Sequence, residues 1–175
     1  MAIEDVYLMG DDALGNQFAL TVTPILGIVP DQLRFRVLTV DIPEKSMGTY
    51  EVPTATQKFT KPNGKIETSN EFSFTFRIDK YWGIYKTFQE WMDYIVDPET
   101  GLFRPDVSVT GQSQYRTDIF VNTLDGNLVP TSSGWKMMKA FPTSLSGVSF
   151  DVNSGDPLEA SVTMNFLKMT TPFDS

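Results

Sequence analysis

The feature that most constrains this fold is a change in the spacing of apolar residues at Asp79. Upstream of Asp79, apolar and polar residues alternate with a period of two, which is typical of a strand with one buried face. Downstream, the apolar residues recur at helical spacing. The pattern predicts a strand over 66–79 and an amphipathic helix over 80–96, with Asp79 as its cap and Asp97-Pro98 as its end. The apolar positions are Phe72, Phe74, Phe76 and Ile78 in the strand and Tyr81, Ile84, Tyr85, Phe88, Trp91, Met92 and Ile95 in the helix.

A turn signal lies upstream of that strand. Segment 49–60 is followed by Pro62-Asn63-Gly64-Lys65, and Asn-Gly is the strongest short hairpin signal because both residues tolerate a positive φ. The sequence therefore predicts a long hairpin in which 49–60 pairs with 66–79. Pro53 is expected at a sheet edge or a bulge, since proline cannot donate to a strand pairing.

Further strands are predicted wherever short runs rich in β-branched residues are bounded by turn residues. They are 16–29, 33–42, 113–123, 134–141, 145–152 and 158–169, with Pro142 as one of the breaks. The expected fold is mainly β: two packed antiparallel sheets forming a barrel-like sandwich, with one amphipathic helix and a long β-hairpin. We expect a single domain over residues 1–175, with 1–15 and 170–175 as extended arms or tails.

The composition excludes several kinds of chemistry. The chain has no histidine and no cysteine, which rules out Ser-His-Asp triads, disulfides and zinc sites built from imidazole or thiolate. Its 14 basic and 22 acidic side chains give a net charge of −8, so no bulk basic surface is available to neutralise phosphates. No apolar run is long enough to span a membrane, and we expect a cytoplasmic product when the chain is made.

Two loops resemble ligand-binding motifs only in part. The segment 151–156 begins like a calcium loop, but Val162 stands where a bidentate glutamate is needed. Gly64-Lys65 matches the end of a phosphate loop, but Phe59 occupies the position of its first glycine. Turn formation explains both loops.

The helix also carries candidate functional residues. Glu90 and Asp93 lie one turn apart and could pair as acid and base, but their place opposite the apolar stripe favours a solvated surface. The aromatic residues of the stripe could stack on bases or sugars, but at helical spacing they more often form core, and Trp91 is predicted there. No catalytic residue, cofactor or metal is assigned, and we expect a protein that is not an enzyme.

Three motifs in a fixed order carry a family resemblance. The first runs from Leu33 to Pro43 and ends in a Thr-x-x-apolar-Pro turn, and the second runs from Asn70 through Asp79 into the aromatic helix. The third is an apolar-Pro-Thr turn at Phe141-Pro142-Thr143, followed by a closing hairpin that reaches Phe166. Together they cover about residues 16–169 and resemble the tail tube protein of contractile-tailed bacteriophages.

The resemblance implies a structural role. Tube proteins of this family form hexameric rings that stack into a hollow channel inside a contractile sheath, through which the genome reaches the host. The implied partners are other copies of the chain and the tail sheath, tape measure, baseplate and tail terminator proteins. DNA would pass without specific binding, no membrane is involved, and the protein would belong to the virion tail after assembly in the host cytoplasm.

Two other readings stay open on the sequence. One is the inner tube of a non-phage contractile injection system, such as type VI secretion or a bacteriocin-like particle. The other is a β-sandwich module that binds a carbohydrate or a protein partner.

Two sets of residues are predicted to serve the tube. The turn residues Lys61, Pro62, Asn63, Gly64 and Lys65 are expected to contact a neighbouring subunit, because the hairpin is long enough to reach one. If the phenylalanines of strand 66–79 pack inward, the residues between them point the other way, which in a family ring is the channel. These channel-facing residues are Ser73, Thr75 and Arg77, and Arg77 would need a carboxylate nearby.

Overall fold

The computed structural model describes residues 15–23, 33–54, 56–105, 115–125 and 127–171. Within these ranges the chain is mainly antiparallel β with one long helix, as predicted. The elements in chain order are β1 (Phe18–Val22), α1 (Leu33–Arg36), β2 (Val37–Asp41), β3 (Lys45–Pro53), β4 (Lys58–Thr68), β5 (Glu71–Arg77), α2 (Gly83–Ile95), β6 (Thr117–Leu124), β7 (Pro130–Leu145), β8 (Glu159–Asn165) and β9 (Lys168–Thr170).

Seven strands form one antiparallel sheet in the order β1-β6-β7-β8-β5-β2, with β9 added beside β7. The long strand β7 joins two halves of this sheet. Its residues up to Ala140 pair with β6 and β9, and its residues from Phe141 onward pair with β8. Among the described residues, the terminal strands β1 and β2 do not pair with each other, so the sheet is not closed into a barrel.

The changeover inside β7 depends on Lys139. This residue has φ +55°, a left-handed conformation that is unusual for a residue with a side chain. The Asp118 carboxylate on β6 holds it, because the Lys139 N–H donates to Asp118 Oδ1 over 3.1 Å. The resulting kink allows one strand to serve both halves of the sheet.

A single core lies between the two sheet halves and α2. Phe88 of the helix contacts Phe74 and Phe76 of β5, with ring centroids 5.7 and 6.0 Å apart. Trp91 is buried, as predicted, and its Nε1–H donates to the carbonyl of Tyr115 over 2.8 Å. Further buried members from both halves include Leu20, Ile119, Val121, Met137, Val162 and Met164.

The start of α2 differs in detail from the prediction. The helix begins at Gly83, so Tyr81 lies outside the apolar stripe and is 84% exposed. Asp79 does cap the helix, because its carboxylate accepts hydrogen bonds from the N–H groups of Tyr81, Gly83 and Ile84 at 3.1–3.3 Å. Burial alone would raise the pKa of Asp79, but these backbone donors hold the pKa of the carboxyl below its usual value.

Two predicted strands are wrong in part. Residues Leu33–Arg36 form a helical turn because leucine and arginine favour helix, and the strand begins only at the β-branched Val37. The strand predicted over 145–152 is absent, and β7 instead continues through Pro142 to Leu145. Proline is tolerated there because, among the strands that the structure describes, β7 pairs at that point with β8 alone and is bulged between Pro142 and Ser144.

The predicted hairpin turn at Asn63-Gly64 is also wrong. The hairpin forms between β3 and β4, and its turn lies at Thr54–Gln57, where the Thr54 N–H donates to the Gln57 carbonyl over 2.8 Å. Asn63-Gly64 instead forms a bulge inside β4, in which the Asn63 side chain accepts the Lys65 N–H over 2.9 Å. The bulge fits because Gly48 lies opposite and has no Cβ to meet the Asn63 amide.

The ends of several predicted segments lie outside the described residues. These are 24–29 of the first strand, 113–114 of a later one, and the predicted arms except for Gly15, Thr170 and Thr171. Thr170 is the last residue of β9. Pro53 lies at the end of β3, which pairs only with β4 among the described strands, so its edge position is confirmed.

Candidate assembly surfaces

One side of the sheet presents a polar face opposite the core. Ser73, Thr75 and Arg77 alternate with the buried phenylalanines of β5, as predicted. Across the strand pairs, each meets another hydrophilic residue: Thr163, Ser161 and Glu159 of β8. We define the polar face as Thr39, Asp41, Glu71, Ser73, Thr75, Arg77, Glu159, Ser161 and Thr163.

The polar face carries more negative than positive charge. Its carboxylates belong to Asp41, Glu71 and Glu159, and its one guanidinium belongs to Arg77. Arg77 lies opposite Glu159 in the register of β5 and β8, so a carboxylate-bearing residue stands across the strand pair from it. The Ser73 hydroxyl donates to Asp41 Oδ2 over 3.1 Å, which links β2 to β5 on this face.

Helix α2 lies on the other side of the same sheet. Phe88 packs on Phe74 and Phe76, whose side chains point away from the polar face. The exposed side of the helix, including Gln89 and Glu90, therefore faces away from the polar face. In this part of the molecule, the sheet therefore has the polar face on one side and helix α2 on the other.

The β3–β4 hairpin has an exposed apolar face. Val52 pairs with Phe59, and Tyr50 lies two residues along β3 on the same side. On the opposite side, Glu51 and Lys58 form an ion pair of 3.3 Å. A two-stranded hairpin is marginally stable in water, so an uncovered apolar face on one indicates a contact surface. The sequence prediction missed this face because it placed the turn at Asn63-Gly64 instead of Thr54–Gln57.

The predicted contact residues lie in the middle of this hairpin, not at its tip. Lys61, Pro62, Asn63, Gly64 and Lys65 are all exposed on β4. Lys61 pairs with Tyr50 and so lies on the side of the apolar face. The structure thus brings the predicted contact segment beside the apolar residues of the hairpin.

The candidate calcium loop forms a turn, and the candidate acid Glu90 lies on a solvated helix surface. The described residues contain no cluster of acidic side chains able to hold a metal ion. The loop at 151–156 is a turn in which Asp151 Oδ1 accepts the Asn153 N–H over 2.9 Å. Glu90 is exposed, and its Oε1 lies 3.5 Å from Lys86 Nζ, which is typical of a solvated helix surface. None of the helices described is both long and apolar enough to cross a membrane.

Comparison with known proteins identifies the family. A sequence model of the family described as phage tail tube protein matches residues 13–171. The chain therefore belongs to the phage tail tube protein family. No curated protein matches the chain in sequence.

Solved structures share the fold at low sequence identity. A chain from the anti-feeding prophage baseplate is similar with a TM-score of 0.63 and 10% identity, over 93% of this chain and 97% of that one. A chain of the sheath–tube complex of PVC, an extracellular contractile injection system, has a TM-score of 0.58 and 15% identity, over 98% and 97%. Hcp1 from Flavobacterium johnsoniae has a TM-score of 0.50 and 16% identity, over 89% and 94%.

Proposed function

We propose that this chain is the tube subunit of a contractile phage tail and forms stacked hexameric rings through which the genome is delivered. The observation that carries this proposal is the match of the tail tube family to residues 13–171, on a fold shared with chains of contractile injection systems. A passive wall of this kind needs no catalytic group, and the protein is proposed not to be an enzyme.

The polar face is proposed to line the channel. Ser73, Thr75 and Arg77 then point into the lumen, and α2 lies on the outside of the tube. The excess of carboxylates on this face repels phosphates, so DNA passes without specific binding. The hydroxyl groups of Ser161 and Thr163 keep the surface hydrated, and Glu159 stands opposite the cationic Arg77.

The β3–β4 hairpin is proposed to dock on a neighbouring subunit. On its apolar face, Tyr50 and Phe59 are exposed and Val52 is half-buried in the single chain, and the face gains stability when another copy covers it. Lys61, Pro62, Asn63, Gly64 and Lys65 lie along the same strand and contribute to this contact. Pairing between subunits also covers β1 and β2, which are the edge strands of the sheet in the part of the chain that the structure describes and would otherwise favour aggregation.

Further partners follow from the tube role. The similar chains come from a sheath–tube complex, a tube-terminating cap and a baseplate, which supports a sheath, a terminator and a baseplate as partners of this chain. A tape measure protein inside the tube completes the set. The protein is proposed to reside in the virion tail after assembly in the host cytoplasm.

A second candidate is the inner tube of a non-phage contractile injection system. Its support is specific, because the similar structures include the anti-feeding prophage and PVC. The two candidates differ in what the finished particle contains. Mass spectrometry of particles purified from the source organism would find this chain with DNA-filled heads in the phage case, and in headless particles in the other.

The tube role is tested by the assembly state of the purified chain. Sedimentation from micromolar to millimolar protein, with negative-stain electron microscopy of the same samples, should show rings of six and stacks of rings. A monomer throughout that range, with no rings in the images, would contradict both candidates.

A further inference from the structure

Two exposed apolar sites lie at opposite ends of the β6–β7 strand pair. The first, which we call the tip, is Leu128-Val129 in the turn between the two strands. The second, which we call the end patch, consists of Val96, Leu102 and Phe103 after helix α2. Neither belongs to the polar face or to the hairpin described above.

The tip combines apolar exposure with an unfavourable backbone. Leu128 is 65% exposed and has φ +60°, a conformation that asparagine or glycine adopts much more readily. The turn is nevertheless well ordered by hydrogen bonds, because Asp125 Oδ1 accepts the N–H groups of Asn127 and Val129 at 2.9 and 2.8 Å. A rigid turn that presents leucine where a polar residue fits better indicates a contact outside the single chain.

The end patch is also held in place. Val96 and Phe103 form an isolated antiparallel bridge, and the Arg104 N–H donates to the Ile95 carbonyl over 2.9 Å. The Phe103 ring packs edge-on against Tyr115 with centroids 6.2 Å apart, which leaves its outer side and Leu102 uncovered. Leu102 is 71% exposed and Phe103 is 63% exposed.

The two sites are separated by the length of β6. The end patch adjoins Tyr115, just before β6 starts at Thr117, and the tip follows the end of β6 at Leu124. Eight residues of antiparallel strand span about 25 Å. A knob at one end of a molecule and a patch of matching chemistry at the other form a heterologous contact, which generates a ring if the rotation between copies closes and an open stack if it does not.

We propose that the Leu128-Val129 tip of one copy seats on the Val96–Leu102–Phe103 patch of the next copy along the tube axis. This inference rests on the proposed tube function and names the contact between successive rings. A second copy of the chain is the occupant that covers both apolar sites with one type of contact. Inside a stack, each subunit places its tip on the next copy and receives the tip of the previous copy on its end patch. The contact is separate from the hairpin contact proposed above.

Engineered cysteines test this contact directly, because the natural chain has none. A Leu102→Cys/Leu128→Cys double variant is assembled, oxidised and run on a denaturing gel without reductant. We expect a ladder of covalent products that continues beyond the size of one ring, because the contact runs along the tube. The single variants Leu102→Cys and Leu128→Cys should stay monomeric on the same gel.

Other outcomes of this experiment overturn the proposal. A ladder that stops at the size of one ring would place the contact between neighbours within a ring. Dimers from either single variant would show that like sites meet. Tubes visible by microscopy without any cross-link would reject this contact while leaving the tube function intact, and a wild-type chain that forms no rings would reject both.

A second variant separates assembly from folding. Leu128→Asn removes the apolar side chain and suits a positive φ, so the midpoint of urea unfolding should not fall. We expect single rings with at least tenfold fewer stacks than the wild type, whereas the neighbouring exposed control Asn127→Ser should stack normally. Tubes of unchanged number and length from Leu128→Asn would also overturn the proposal.

Discussion

At the scale of single residues, Trp91 connects helix α2 to the segment just before β6. Its indole is buried and its Nε1–H donates to the Tyr115 carbonyl. Trp91→Ala should lower the free energy of unfolding by about 3–5 kcal/mol, because it leaves a large cavity and an unpaired carbonyl. Urea denaturation of the purified chain measures this. The exposed control Tyr81→Ala should change stability by less than about 0.5 kcal/mol, and equal effects of the two variants would contradict the core assignment.

Asp79 supplies the cap of α2 and a pH dependence. Replacing it by alanine should cost about 1 kcal/mol at pH 7, as the loss of a helix cap does. Because the pKa of the carboxyl is lower in the folded than in the unfolded chain, this stabilisation is complete above the unfolded value of about 4. It is lost as the pH falls through the folded value.

The test of Asp79 compares unfolding free energies of the wild type and Asp79→Ala from pH 7 down to about pH 3. The difference between them should shrink below about pH 4. Asp93→Ala on the exposed side of the same helix is the matched control and should show little difference at pH 7. A constant difference for Asp79→Ala over the whole range would contradict the role of its ionised form.

At the scale of elements, the kink of β7 at Lys139 decides how the sheet divides. Glycine suits the φ of +55° at this position, so Lys139→Gly should leave stability unchanged or raise it by up to about 1 kcal/mol. Lys139→Val should lower it by about 1–2 kcal/mol, because a β-branched residue strains this conformation. Both are measured by urea unfolding. If the Lys139→Val variant were more stable than the Lys139→Gly variant, β7 would pass this position without the kink.

The β3–β4 hairpin should matter more for assembly than for folding. Tyr50→Ser/Phe59→Ser removes the large side chains from its apolar face, which the single chain leaves exposed. The unfolding midpoint should change little, while sedimentation should show at least tenfold weaker ring formation, because the face no longer buries apolar area against a neighbour.

The opposite side of the hairpin provides the control for that variant. Thr49→Ser/Thr60→Ser changes two exposed residues there and should assemble like the wild type. Normal rings from the Tyr50→Ser/Phe59→Ser variant would place the hairpin outside the subunit contacts. Loss of folding in that variant would mean that the hairpin is part of the monomer's own core.

At the scale of the whole molecule, the polar face and α2 should end on opposite sides of the tube wall. In assembled tubes, Thr75→Cys should react slowly with a small maleimide that enters from the ends, and not with a thiol reagent wider than the bore. Free subunits should react with both reagents. The reason is that Thr75 lies on the polar face, which the proposed assembly encloses.

Gln89→Cys is the matched control for the labelling experiment. It lies on the exposed side of α2, so it should react with the bulky reagent before and after assembly. Equal labelling of Thr75→Cys by that reagent in tubes and in free subunits would place the polar face outside. If Gln89→Cys were protected in tubes while Thr75→Cys reacted freely, helix α2 would face the channel and the polar face would lie outside.

Local physics explains why some elements could be predicted from sequence. The alternation at Phe72, Phe74 and Phe76 and the helical spacing from Ile84 to Ile95 depend only on which side of one element is buried. Asp79 likewise caps a helix that begins within four residues of it. The absence of histidine and cysteine can be seen in the sequence alone, and it excludes sites that need imidazole or thiolate groups.

Other features depend on partners far away in the chain. Asn63-Gly64 has the local character of a turn, but the pairing of Lys45–Pro53 with Lys58–Thr68 places it in a bulge opposite Gly48. The tertiary structure also carries β7 through Pro142, because none of the described strands pairs with the other side of β7 there. The sequence by itself thus determined the buried sides of strand β5 and helix α2. Only the tertiary structure decided which strands pair and which apolar residues, such as Leu128 and Phe103, remain uncovered, because both depend on contacts between distant segments.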